Sequence, residues 1–166
     1  MEQFRNLLEV EYDDTNRIVY LTASETISIS CETEMIQLCS TIRETLDQYG
    51  PERLYLVMDL LRFAIEPSLA ELYAERVRSL TEDYLYPDGL ARYGYQITRV
   101  TIMLGAENKK ATKDLFFTNK EEACQYIYNR IALRTSHHPL EQNEEEQTTP
   151  DTGGIDISQI TYGHME

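Results

Sequence analysis

Residues 54–72 read LYLVMDLLRFAIEPSLAEL, a short apolar run that stops at an acid and gives way to a helix opening with Pro67 and Ser68. The run from Leu54 to Met58 has the length and unbroken hydrophobicity of a strand buried on both faces, which usually belongs to a parallel sheet covered by helices. It is therefore expected at the centre of an α/β fold. Pro67 suits a first helical position, where its missing N–H would be an orphan in any case. Ser68 then falls in the first turn, where free amides and the positive end of the helix dipole favour an anion. A hydroxyl there is placed to carry a phosphate.

On the N-terminal side, Leu8, Val10 and Tyr12 alternate with polar residues, and a second strand-like run, Ile18 to Leu21, follows Asp13-Asp14-Thr15-Asn16. Asp and Asn tolerate tight-turn geometry, so this reads as a β-hairpin. Met35, Leu38, Cys39, Ile42 and Leu46 recur at helical spacing over residues 32–49, and Gly50-Pro51 closes that helix. On the C-terminal side, the Pro67 helix is expected to run to about Tyr86. Its apolar face is Leu69, Leu72, Tyr73, Val77, Leu80 and Tyr84, and Pro87 with Gly89 ends it. Residues 97–104 are rich in β-branched side chains and read as the next strand, stopping at Gly105. A short run, Leu115-Phe116-Phe117, comes next. Thr118 to Glu121 matches a capping box, with Thr118 as N-cap and Glu121 three residues on, before a helix burying Ala123, Tyr126, Ile127 and Ile131.

The 166 residues are divided into one domain, residues 1–135, and an acidic tail, residues 136–166. The tail stretch SHHPLEQNEEEQTTPDTGG has too little apolar surface to offset ordering entropy and is expected to be disordered. Ile155, Ile157, Ile160 and Tyr162 near its end are a small apolar island, read first as incidental and otherwise as an addition to a sheet edge or a partner's ligand. All 15 Lys and Arg lie at or before Arg134, against 29 Asp and Glu in the whole chain. A net charge of −14 argues against nucleic-acid binding, which draws its affinity from phosphate neutralisation. No apolar run has the length of a bilayer span and the N-terminus carries no signal pattern, so no membrane is expected and the location is expected to be cytoplasmic. Cys31, Cys39 and Cys124 are scattered and odd in number, as ordinary reduced cysteines are.

The order hairpin, helix, buried strand, helix, strand, short strand, helix resembles the STAS domain, the fold of bacterial anti-sigma-factor antagonists, in its divergent branch. The family motif resembles D-L-x-x-x-x-I-D-S-S-G-L, and its counterpart here is Asp59, Leu60, then Ile65, Glu66, Pro67, Ser68 and Leu69. Glu66 replaces the second aspartate, Pro67 the first serine and Leu69 the glycine. The segment LFFTNKEEACQYI is similar to the family's closing strand and helix, through Phe117, Glu121, Glu122 and Ala123. The resemblance implies an α/β mixed sheet covered by helices and a non-enzymatic module in bacterial signalling. It also implies a phosphorylatable serine at Ser68 and a protein partner such as a kinase, a phosphatase or a sigma-factor regulator.

Catalytic chemistry has little to stand on. His137, His138 and His164 all lie in the tail, and no Gly-rich phosphate loop, G-x-S-x-G elbow or HExxH occurs. No catalytic residue, metal or cofactor is expected. Asp59, Glu66 and Glu71 surround the strand-to-helix junction, where they serve acid–base work only if their pKa values are pushed apart. The favoured reading is that Asp59 caps a strand end, Glu66 sits at the helix N-cap and Glu71 is solvated. Lys109, Lys110 and Lys113 follow Gly105, at the kind of strand end where α/β sheets bind ligands. A solvated basic loop is the commoner case.

The stretch DYLYPDGLARYGY, residues 83–95, gathers Tyr84, Tyr86, Tyr93 and Tyr95 around an expected turn. Tyrosines anchor interfaces because they bury a large area and keep a polar tip; packing on the body with hydroxyls in water is an equal reading. The candidate interface is thus Asp59, Arg62, Glu66, Tyr84, Tyr86, Tyr93 and Tyr95. The alternatives to a phospho-switch are a constitutive binding protein, or a small-ligand binder at the strand ends near Asp59 and Gly105.

Overall fold

The computed structural model describes residues 4–94 and 116–136. The 54–59 run is the middle of a five-stranded sheet. Strand β4 (Leu54–Asp59) lies between β2 (Ile18–Ala23) and β6 (Leu85–Tyr93), with β1 (Leu8–Asp13) beyond β2 and β7 (Phe116–Phe117) beyond β6. β1 and β2 form the expected antiparallel hairpin, while β2, β4, β6 and β7 run parallel, so the sheet is mixed.

The hairpin turn is held by the Asp13 carboxylate, which accepts from the Asn16 backbone N–H at 3.1 Å and from its side-chain amide at 2.7 Å. Arg17 then takes a positive φ of 55° and donates to the carbonyls of Tyr49, Glu52 and Arg53, tying the turn to the chain that enters β4.

Alternation along β4 serves two cores. Leu54, Leu56 and Met58 pack under α1 (Glu32–Leu46) and α2 (Ala70–Tyr84), with Leu38, Ile42, Tyr73 and Leu80. Tyr55 and Val57 pack with Ile18, Ala91, Ala123 and Ile127 under α3 (Lys120–Ser136) on the opposite face. Burial on both faces is what makes β4 continuously apolar, as a two-sided parallel strand requires.

Several expectations need correction. Pro67–Leu69 form a 3-10 turn, and α2 proper begins at Ala70 and ends at Tyr84. Pro87 and Gly89 do not terminate a helix. The strand β6 begins at Leu85, directly after α2, and the residues read as a turn are a bulge within it. Leu85 pairs with Leu54 and Leu90 with Leu56, so Tyr86 to Gly89 stand opposite Tyr55 alone. Proline and glycine inside a strand are the usual signature of such a bulge. Asp88 there takes a φ of 58°, and a Cβ on Gly89 would come within 2.7 Å of the Tyr86 carbonyl oxygen.

The capping box is displaced by one residue. Asn119 caps α3, its Oδ1 accepting from the Glu122 N–H at 2.9 Å, while the Glu122 carboxylate accepts from the Thr118 N–H at 3.1 Å. Two strands were not anticipated: β3 (Ile27–Ile29) and β5 (Phe63–Ile65) pair in parallel as a separate small sheet. Tyr95, the strand expected at 97–104, Gly105, Lys109, Lys110, Lys113 and the tail beyond Ser136 lie outside the described residues, as do all three histidines.

Candidate functional site

The carboxyl end of β4 leads into the most irregular part of the body. Asp59 is half-buried, and its Oδ1 accepts from the Leu61 N–H at 2.8 Å, so the acid turns the chain at the strand end. The Leu60 N–H donates to the Tyr93 carbonyl at 2.7 Å, fastening this turn to the end of β6. Gly94 takes a φ of 115°, and a Cβ on it would lie 2.6 Å from the Leu61 nitrogen and 3.1 Å from Asp59 Oδ1. Only a residue without a side chain fits there.

From Leu61 the chain enters β5, whose Phe63 and Ile65 point inward while Ala64 points out. Beside it runs an open groove of about 350 Å³, lined by residues of the β3 and β5 segments including Ser28, Ser30, Leu61, Arg62, Ala64 and Glu66. Leu61 is 58% exposed beside this groove. Glu34 reaches back to Ser30, its carboxylate accepting from both the backbone N–H at 2.7 Å and the hydroxyl at 2.9 Å. These bonds hold the Glu34 carboxyl below its ordinary value.

Arg62 has a structural task as well as an exposed position. Its guanidinium donates to the carbonyls of Ala23 and Ser24 at the end of β2. Glu66 follows β5; its N–H donates to Ile29 O and its own carbonyl accepts from Leu69 N–H, both at 2.9 Å, which closes the 3-10 turn. Its side chain makes no capping bond to that turn. Ser68 lies inside the turn and is exposed.

Tyr84, Tyr86 and Tyr93 do not gather as a patch. Tyr93 is paired with Asp59 across β6 and β4, whereas Leu85, at the start of β6, is paired with Leu54. Tyr84 and Tyr86 flank that start, so they lie at the opposite end of the sheet from Tyr93, about 16 Å away at the rise of a strand. They also serve opposite faces. The Tyr84 hydroxyl donates to Asp47 Oδ1 at 2.8 Å on the α1–α2 side, beside the Arg43–Asp83 ion pair at 2.7 Å. Tyr86 packs 4.8 Å from the Tyr55 ring on the α3 side, with Arg134 at 3.8 Å over its face. At the β4 end the structure sets Tyr93 opposite Asp59, whereas Arg62 and Glu66 line the β3–β5 groove and Ser68 is exposed on the turn that follows.

Arg92 escaped the sequence reading. It is 1% exposed and shares the α1–α2 face of β6 with Leu90. The signal was present in LARY, residues 90–93, where a strand places Leu90 and Arg92 on one face, but reading the segment as a turn concealed it. Among the described residues no group of His, Cys, Asp and Glu could hold a metal ion, and no helix is long and apolar enough to cross a membrane.

No protein-family model matches this chain, and no curated protein does. Among solved structures it is similar in fold to an uncharacterized DUF3478-family protein with a SpoIIAA-like fold from Shewanella loihica PV-4. The match has a TM-score of 0.45 at 10% identity, covering 72% of this chain and 91% of that one. The SpoIIAA-like fold is the STAS fold of anti-sigma-factor antagonists. The likeness is one of fold alone.

Proposed function

We propose that this protein is a non-enzymatic regulatory module that binds another protein at the β4 carboxyl end, and that phosphorylation of Ser68 switches the binding. The binding unit is residues 1–135, with residues 136–166 as an acidic extension. The observation that carries the reading is the exposed Ser68 on the 3-10 turn between the open β3–β5 groove and α2. A kinase reaches a hydroxyl on such a turn without unfolding the body. A phosphate there adds nearly two negative charges beside exposed Glu66, and like-charge repulsion then weakens an apolar or acidic partner surface. Leu61 supplies an apolar contact and Arg62 and Glu66 a polar rim, the usual composition of a protein-binding patch. In the motif that this stretch resembles, Ser68 holds the position of the phosphorylated serine.

The test begins with affinity capture from the native cell, reading partners and Ser68 phosphorylation together by mass spectrometry. The captured partner is then titrated with wild type, Ser68→Ala and Ser68→Asp. The reading expects Ser68→Ala to bind as wild type and Ser68→Asp to bind at least tenfold more weakly. Equal affinity for all three leaves a constitutive binding module.

A further inference from the structure

Strand β1 is the outer strand of the sheet, with β2 on one side and, among the described residues, no strand on the other. The register shows which of its backbone groups are left over. Leu7 and Ser24 continue the β1–β2 register by one pair, and the Ser24 N–H donates to the Leu7 carbonyl at 2.9 Å. Hydrogen-bonded pairs alternate along an antiparallel ladder, so Glu9, Glu11 and Asp13 bond to β2, whereas Val10 and Tyr12 turn their N–H and C=O groups outward. Among the described residues neither has a backbone partner on that side. Such an edge is a template for a further strand.

The side chains of β1 say what that strand must carry. On the side of α1 and α2, Leu8, Val10 and Tyr12 lie against the core but are only partly buried, so their apolar row ends at the edge with area still exposed. On the side of α3, Glu9 and Glu11 are exposed, two residues apart. Lys120 approaches Glu11 to 3.9 Å and leaves that side chain 79% exposed. Side chains directly opposite on paired strands lie about 5 Å apart, close enough for opposite charges to attract and like charges to repel. A second copy of β1, added antiparallel about Val10, would set Glu9 against Glu11, which disfavours self-association. The island at 155–162 carries Asp156 and no Lys or Arg, so it offers these glutamates no complement.

We propose that the free edge of β1 takes up an extended segment of another protein in which apolar and basic residues alternate. The segment's backbone pairs with Val10 and Tyr12, its apolar side chains continue the row of Leu8, Val10 and Tyr12, and its Lys or Arg side chains stand opposite Glu9 and Glu11. The proposal goes beyond the Ser68 switch and does not rest on it, since no residue of β1 lines the β3–β5 groove.

The test uses the full chain, titrated with a capped peptide in which lysine and valine alternate, and the readout is amide hydrogen exchange by NMR. In the free protein the Glu9 and Glu11 N–H groups are expected to exchange slowly and those of Val10 and Tyr12 fast. Saturating peptide is expected to slow Val10 and Tyr12 by about tenfold or more. A peptide of the same composition, with its lysines and valines in separate blocks, keeps the charge without the alternation and is expected to leave both fast. Glu9→Gln combined with Glu11→Gln is expected to weaken binding of the alternating peptide about fivefold, the effect of two opposite-charge cross-strand pairs. Val10→Pro removes an N–H that faces away from β2, so the ladder persists, and the peptide is expected no longer to protect Tyr12. The proposal is overturned if the alternating peptide protects neither residue or acts no differently from the blocked one, or if the double glutamine variant binds as tightly as wild type. Slow exchange at Val10 and Tyr12 before any peptide is added overturns it as well, because the edge is then already covered.

Discussion

Asp59 and Tyr93 stand opposite one another on neighbouring parallel strands, and this pair joins the end of β4 to the end of β6. The joint is made twice, by the ladder itself and by the Leu60 N–H on the Tyr93 carbonyl, and the Asp59 carboxylate on the Leu61 N–H fixes the turn that leaves it. The loop that carries Arg62 and leads to Ser68 thus departs from a fixed point. A binding surface built on it needs little ordering when a partner arrives, which favours affinity.

The same pair predicts a response to alkali. Burial first, and then the Asp59 charge, push the Tyr93 phenol up to about 12 from an ordinary value of 10.0. Above pH 10 the unfolded chain loses this proton while the folded chain keeps it. The contribution is therefore present in full below pH 10 and is lost as the pH rises toward 12. Spectrophotometric titration at 295 nm should show a late-titrating tyrosine that moves toward its ordinary value in Asp59→Asn. An unchanged profile in that variant would remove Asp59 as a cause.

Gly94→Ala should destabilise the fold by about 2 kcal/mol or more, because it combines an unfavourable positive φ with a collision against backbone. The atom struck first is the Leu61 nitrogen, which cannot move without breaking its bond to Asp59. Urea denaturation is the measurement, with Gly50→Ala as a partial control: Gly50 also has a positive φ, of 87°, but open space around it. Equal losses in the two variants would show that crowding beside Asp59 contributes nothing.

The central strand and the hairpin were legible because their signals are local and unopposed: an unbroken apolar run for Leu54 to Met58, and alternation about an Asp-Asn turn for Leu8 to Leu21. β6 was not legible, because Pro87 and Gly89 carry the same chemistry whether they end a helix or form a bulge. Only the partner strand, with Tyr55 opposite four residues, decides between them. β3 and β5 are three residues each, too short for a period to declare itself, and their pairing joins positions 36 residues apart. Between Asp59 and Ser68 the end of a strand and the start of a helical turn could be read because the stretch is contiguous. Tyr84, Tyr86 and Tyr93 were contiguous in the same way and yet fell to opposite ends and faces of the sheet, since a strand separates what a turn would gather.

Leu80→Ala should cost about 2–4 kcal/mol, the ordinary range for truncating a buried leucine. Leu80 is 5% exposed and lies in the core beneath α2. Leu72, on the same helix, is only partly buried against that core, so Leu72→Ala should cost about 1–2 kcal/mol, less than full burial implies. Denaturant midpoints for the two variants should fall in that order, and a reversed order would mean that α2 is rotated from the orientation described.

The start of α3 gives a direct choice between two cap registers one residue apart. The sequence pattern pairs Thr118 with Glu121, whereas the structure pairs Asn119 with Glu122. A side-chain cap contributes typically about 1 kcal/mol, while an exposed threonine outside the cap contributes little. Asn119→Ala should therefore lower stability by about 1 kcal/mol and Thr118→Ala by less than about half of that, measured by chemical denaturation at neutral pH. The partner of Asn119 in this box has a second signature. Glu122 accepts from the Thr118 N–H, so Glu122→Gln keeps an acceptor but loses the charge that complements the helix dipole. It should cost a few tenths of a kcal/mol, and Glu121→Gln less, since Glu121 lacks the Thr118 bond. Should Thr118→Ala prove the more damaging of the two cap variants, α3 begins one residue earlier than described, and Ala123 and Ile127 would be turned away from the Tyr55 and Val57 face that they now cover.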